Sequence, residues 1–202
     1  MKLGDVLLNS CEWIWRFMIL NFLWVVFMVC GGVIFGIMPS TIATFYVLRK
    51  WVKGDFDFHI LKTFKQVYKD EFINSNKCGF VFFVIFAFLA FDLNVLYRIE
   101  ALYSTILYAI VMAVLFFVSV AFIYFFPTYV HFKSSNKEYI KNSFVLALTS
   151  PFQTILILIG FGLLYYIVKS NAGLLMFFAI VVPGYWVMHV LHKKFLQLQR
   201  SM

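Results

Sequence analysis

ALYSTILYAIVMAVLFFVSVAFIYFF, residues 101–126, contains no Asp, Glu, Lys or Arg. As an α-helix at about 1.5 Å per residue it is about 39 Å long, enough to cross the roughly 30 Å hydrocarbon core of a bilayer. A water-soluble fold has no place for so long an uncharged run. The solvent that accommodates it is lipid, where a helix satisfies its own backbone groups.

Working outward, residues 79–97, 152–168 and 172–191 read the same way. Each lacks Lys and Arg, and only the first holds an acid, Asp92. Composition agrees: 63% of the chain is hydrophobic and 13% charged, with a mean hydropathy of +0.91. A soluble domain carries roughly 25% charged residues. The 5 Trp and 11 Tyr suit the interfaces where amphipathic rings settle. The fold class is therefore all-α, a polytopic transmembrane helical bundle in a single membrane domain over 1–202.

The stretch 17–48 is too long for one straight span and short for two. Gly31, Gly32, Gly36 and Pro39 interrupt it. Proline fits the first turn of a helix, where its missing N–H needs no partner. The reading is a first span over about 15–34, a turn built on Gly36 and Pro39, and a second helix over about 39–52. That gives six spans; one long broken helix gives five and an external N-terminus. Near the start, Glu12 and Arg16 stand four apart in the order that favours a helical ion pair.

Basic residues orient the bundle. Segment 49–77 carries seven Lys/Arg, and 127–151 and 192–202 three each; the turns 98–100 and 169–171 carry one apiece. The positive-inside rule places the long segments and the C-terminus in the cytoplasm. The same rule accounts for the net charge of +8 without a nucleic-acid partner. In 58–73, Leu61, Phe64, Tyr68 and Phe72 form one face, with Lys62, Lys65 and Lys69 beside it. This predicts an amphipathic inner helix that docks on lipid headgroups or a partner protein. Residues 139–148 repeat the pattern with Ile140, Phe144 and Leu148.

Site chemistry is sparse. Asp92 is a carboxylate within a span, costly there and a functional candidate by default, although Asn94 and the nearby span end offer it a route to water. His189 and His192 share a helical face, but zinc needs three or four ligands. Cys11, Cys30 and Cys78 form no CxxC pair; Cys30 is placed mid-span and the others near membrane edges. Gly160 and Gly162 are candidates for close helix approach. No Walker, GxSxG or HExxH motif occurs, nor a selectivity-filter sequence. The expectation is no enzyme, no cofactor and no metal.

Three stretches carry a family resemblance: Asn21-Phe-Leu-Trp24, Gly36-Ile-Met-Pro-Ser-Thr-Ile-Ala-Thr-Phe-Tyr46, and Arg49-Lys-Trp-Val-Lys-Gly54. The run from Phe126-Pro127 through Lys141-Asn142 and Ala147-Leu148 to Pro151 adds to them. The chain resembles the YesL-like family of bacterial membrane proteins, which carry a domain of unknown function. Ser40 stands where that family usually has Ala. The resemblance implies an accessory role in carbohydrate transport or its sensing, beside ABC transporters and sensor kinases. It carries over no catalytic residue.

The expected function is a non-enzymatic accessory protein of the bacterial cell membrane, associated with ABC-type carbohydrate uptake. Its expected partners are the lipid bilayer, an ABC permease or sensor kinase, or a second copy of itself. The alternative is a small stand-alone transporter or channel built around Asp92. An intramembrane enzyme acting on lipid ranks last.

Overall fold

The computed structural model describes residues 3–99, 102–132, 134–170 and 180–201. Every regular element among them is a helix. In chain order these are α1 (Leu3–Cys30), α2 (Ile34–Val52), α3 (Ile60–Tyr97), α4 (Leu102–His131), α5 (Asn136–Thr149), α6 (Pro151–Ser170) and α7 (Val181–Ser201). Four of them, α1, α3, α4 and α6, are long and apolar enough to cross a membrane. The protein is a polytopic helical membrane bundle, as the apolar runs require. The expected sixth span, 172–191, lies partly outside the described residues.

The largest departure from the sequence reading is α3. The amphipathic segment 58–73 and the span 79–97 were expected as separate helices; they form one helix from Ile60 to Tyr97. Between them stands Ile73-Asn-Ser-Asn-Lys-Cys-Gly79, which contains no proline. A single glycine does not stop a helix whose neighbours pack on both sides. The helix is about 57 Å long, so it runs well beyond one bilayer core. Part of its apolar face is already used within the chain, although Leu61 is exposed. Phe64 and Tyr68 are buried, with ring centroids 5.2 and 5.0 Å from Phe27 of α1.

Helix α2 starts five residues earlier than expected. The turn between α1 and α2 is Gly31-Gly32-Val33, with positive φ at Gly32 and Val33. Gly36 and Pro39 therefore lie inside α2 instead of forming the turn. At Gly36 the helices nearly touch, because a Cβ there would stand 2.1 Å from the Met28 carbonyl oxygen. Pro39 occupies the sixth helical position. Its missing N–H leaves the Phe35 carbonyl without a helical donor, and the side-chain amide of Asn76 on α3 donates to that oxygen at 2.9 Å. Cys30, read as mid-span, is the last residue of α1 and is exposed.

Helix α4 runs past the expected end at 126 to His131, with Pro127 inside it. Glu12 and Arg16 pair at 2.5 Å. Helix α6 begins on Pro151, where proline is well tolerated. A capping box starts α5, with the Ser135 N–H donating to Glu138 at 2.9 Å. On α5 the buried residues are Ser143, Leu146 and Ala147; Leu148, expected on the apolar face, is exposed.

Packing between α3, α4 and α2 is dominated by aromatic rings. Phe82 meets Phe122 and Phe125 at 5.1 and 5.3 Å, and Phe45 stacks on Phe126 at 5.4 Å. In lipid such van der Waals packing, not expulsion from water, holds helices together. On α6, Gly160 lets α7 come close: a Cβ there would lie 2.2 Å from Trp186 Nε1, which donates to the Leu156 carbonyl at 3.1 Å. Among the described residues nothing lies within 4 Å of a Cβ on Gly162.

Candidate functional site

Charged side chains gather where the end of α2, the first half of α3, the end of α4 and the start of α5 meet. Between them lies a cavity of about 410 Å³. Its walls include Tyr46, Arg49 and Lys50 from α2, and Thr63, Gln66, Asp70 and Glu71 from α3. Tyr129 and His131 of α4 and Tyr139 of α5 complete the polar lining. Because these groups sit at the basic end of the bundle, donors and acceptors line one small space.

Each wall is fixed by a specific contact. Arg49 donates through its guanidinium to the Val130 carbonyl, one of the last oxygens of α4 and so without a helical donor. Tyr129 donates its hydroxyl to Glu71 Oε2 at 2.6 Å, tying α4 to α3. The Tyr139 ring lies 4.3 Å from that of Tyr129. The Tyr139 hydroxyl donates to the Phe132 carbonyl at 3.2 Å and accepts from the Ser134 N–H at 3.1 Å, closing the α4–α5 connection. Lys50 pairs with Asp55 at 3.0 Å and sits 4.0 Å above the Phe58 ring. His131 is buried against Phe195 of α7, centroids 4.6 Å apart.

Arg49 uses one guanidinium nitrogen in that bond, and a guanidinium carries five N–H donors. Glu71 keeps acceptor sites beyond the one that Tyr129 fills. The cavity is thus equipped to hold a small polar molecule or a polar side chain by hydrogen bonds of both senses. Among the described residues no group of three or more His, Cys, Asp or Glu is placed to bind a metal. His189 and His192 accordingly remain a pair. Burial, with Lys53 and His189 nearby, holds His192 below the ordinary imidazole range.

The residues singled out from the sequence lie elsewhere. Asp92 is half-buried on α3 and has no ion-pair partner among the described residues. Asn94 is exposed and accepts from Arg98 Nε at 3.1 Å. Both are about 31 Å or more along α3 from Glu71, so the structure does not bring them to the cavity. Lys62, Lys65 and Lys69 are exposed and stand outside its lining.

Comparison with known proteins adds the following. A family described as "Protein of unknown function, DUF624" matches residues 17–93. The chain is 35% identical over 194 residues to "Uncharacterized protein YteU" of Bacillus subtilis (strain 168), covering 96% of this chain and 87% of that protein. The chain belongs to the YesL-like family. Two further relatives from the same organism are "Uncharacterized protein YesV", 32% identical over 184 residues, and "Uncharacterized protein YesL", 29% identical over 171. They span 89% and 85% of this chain, and the matches cover 86% and 80% of those proteins. No solved structure matches significantly.

Within the YesL-like chain, the stretches that carry the resemblance converge. Tyr46 and Arg49 lie in the Gly36–Gly54 pattern, and Tyr129, His131 and Tyr139 lie in the Phe126–Pro151 connector. All five line the cavity. Sequence reasoning quoted both stretches without joining them. Glu71 it missed altogether, because the amphipathic reading of 58–73 rested on the apolar face and on Lys62, Lys65 and Lys69.

Proposed function

We propose that the protein is a non-enzymatic accessory component of a bacterial ABC-type carbohydrate-uptake system or of its sensing. In this reading it sits in the cell membrane, with the basic end and the C-terminus in the cytoplasm. The carbohydrate assignment rests on the resemblance to the YesL-like family. The accessory role rests on one observation: polar equipment is concentrated at the basic end, while the interior between α2, α3 and α4 is filled with aromatic rings. A second cavity, about 570 Å³, is lined almost wholly by apolar groups such as Phe45, Phe122, Phe126 and Phe161. It gives a polar solute no path. A partner permease or sensor kinase would dock at the basic end, against the exposed Lys62, Lys65 and Lys69.

The test is gentle solubilisation of a tagged chain from its native host grown on the relevant sugar, then mass spectrometry of what accompanies it. A stoichiometric permease or kinase is expected. Recovery of the chain alone, or only with itself, sinks the accessory reading.

Asp92 motivates a second reading, a small stand-alone transporter or channel. Half-buried and without an ion-pair partner among the described residues, it has the character of an intramembrane polar site. In reconstituted vesicles Asp92→Asn should then abolish flux; unchanged flux removes this reading's main support.

A further inference from the structure

Helix α3 is a ruler for membrane depth. Up to Lys77 it is studded with charge, including Lys62, Lys65, Lys69, Asp70 and Glu71; from Gly79 to Tyr97 the only charged residue is Asp92. The second part is about 27 Å long, close to the roughly 30 Å of a hydrocarbon core. The boundary at the basic end therefore falls near Lys77–Gly79, and the opposite boundary near Tyr97.

A hairpin of α1 and α2 that crossed beside this helix would place its turn near Tyr97. It is placed near the other boundary. A Cβ on Gly31 would lie 2.4 Å from the Tyr68 hydroxyl, and a Cβ on Gly79 would lie 2.5 Å from Met38 Cγ. The Phe35 carbonyl accepts from Asn76. Gly79, Asn76 and Tyr68 precede Tyr97 by about 27, 32 and 44 Å along the helix axis. The other end of α2 is no further away, since Arg49 binds Val130, next to the Tyr129 that holds Glu71.

We infer that the α1–α2 hairpin does not traverse the bilayer but stays at the basic-end boundary, its Gly31–Val33 turn on the same side as the loop 53–59. Length and composition alone allow α1 to cross; its packing on the charged half of α3 decides against it. The exposed apolar side chains of the hairpin find their partner in the acyl chains of the leaflet at that boundary. Phe22, Val29, Ile34 and Phe35 are 67%, 58%, 74% and 63% exposed. The turn tolerates this depth because its own N–H groups are used: Gly31, Gly32 and Val33 donate to Phe27, Val29 and Met28. Since the hairpin enters and returns on one side, the orientation argued from the basic loops is unaffected.

The test uses the full chain with Cys11→Ser and Cys78→Ala, which leaves the exposed native Cys30, one residue before the turn, as the only thiol. Two reference chains lack Cys30 and carry Asp57→Cys, in the loop 53–59, or Asn94→Cys, near the far end of α3. Each is labelled with a nitrobenzoxadiazole maleimide once its melting profile matches the parent, then placed in sealed vesicles of known orientation. Dithionite, which does not cross the bilayer, is added to one side at a time. The Cys30 signal should be lost from the side that bleaches the Asp57 reference and kept when dithionite is on the other. Loss from the side that bleaches the Asn94 reference, or protection from both sides, overturns the inference.

Discussion

Asn76 supplies to Phe35 the hydrogen bond that Pro39 withholds. Its Nδ2 donates at 2.9 Å to a carbonyl one turn before the proline, and at 2.8 Å to Phe72 in its own helix. A proline at the sixth position of α2 is thereby accommodated without a kink-forming orphan, and α2 is fastened to α3 at the same point. The relationship predicts a conditional effect. Asn76→Ala should cost about 1–3 kcal/mol, the penalty for leaving a carbonyl unsatisfied. With Pro39→Ala the backbone N–H returns and the Asn76→Ala cost should shrink. A double-mutant cycle on melting in mild detergent checks this; equal costs in both backgrounds would mean that Asn76 does not substitute for the missing N–H.

Gly36→Ala forces a methyl against the backbone of α1, where only 2.1 Å is available to the Met28 oxygen. Overpacking of this kind costs about 1–3 kcal/mol, with more expected where the neighbour is backbone. Gly162→Ala meets nothing within 4 Å among the described residues and should gain about 0.5–1 kcal/mol from helix propensity. Opposite shifts in thermal midpoint for the two variants are the expected result.

Tyr129→Phe removes the 2.6 Å bond to Glu71 and with it the direct link between α3 and α4 at the cavity. Hydrogen bonds to charged groups contribute about 1.5–3 kcal/mol, and access to solvent puts this one at the low end. Glu71→Gln should lose much of the same energy, and the double variant little more. Additive losses in unfolding titrations would show that the two residues do not act as a pair.

A pH dependence follows from His192. Its folded pKa lies below the ordinary imidazole value, chiefly through burial and then through Lys53 and His189. Above the unfolded pKa, about 6.5, both states are neutral and the favourable term is fully present. As pH falls below that value the unfolded chain takes up the proton first, and stability is lost. His192→Asn should therefore narrow the gap between melting points at about pH 7.5 and about pH 5.5. An unchanged gap would assign the dependence to other groups.

The bundle itself was legible because apolar runs such as 101–126 leave no other reading. Two boundaries were not, for the same physical reason. Proline and a change of polarity were read as element ends at 39 and 73–79, yet a side chain from another helix replaced the missing N–H, and packing carried α3 through the polarity change. Phe64 and Tyr68 show the converse. Their spacing marked an apolar face correctly, but whether lipid, a partner or Phe27 covers it is a tertiary fact. The cavity is hidden in the same way, since Arg49, Glu71, Tyr129 and Tyr139 are far apart in sequence and only the fold makes them neighbours.

The most direct test of the accessory role is photo-crosslinking in living cells of the native host, with Lys65→p-benzoylphenylalanine placed on the exposed face of α3. The account predicts a specific adduct with an ABC permease or a sensor kinase, lost when Lys62 and Lys69 are both changed to Glu. Adducts with lipid or with a second copy of the chain alone would contradict it.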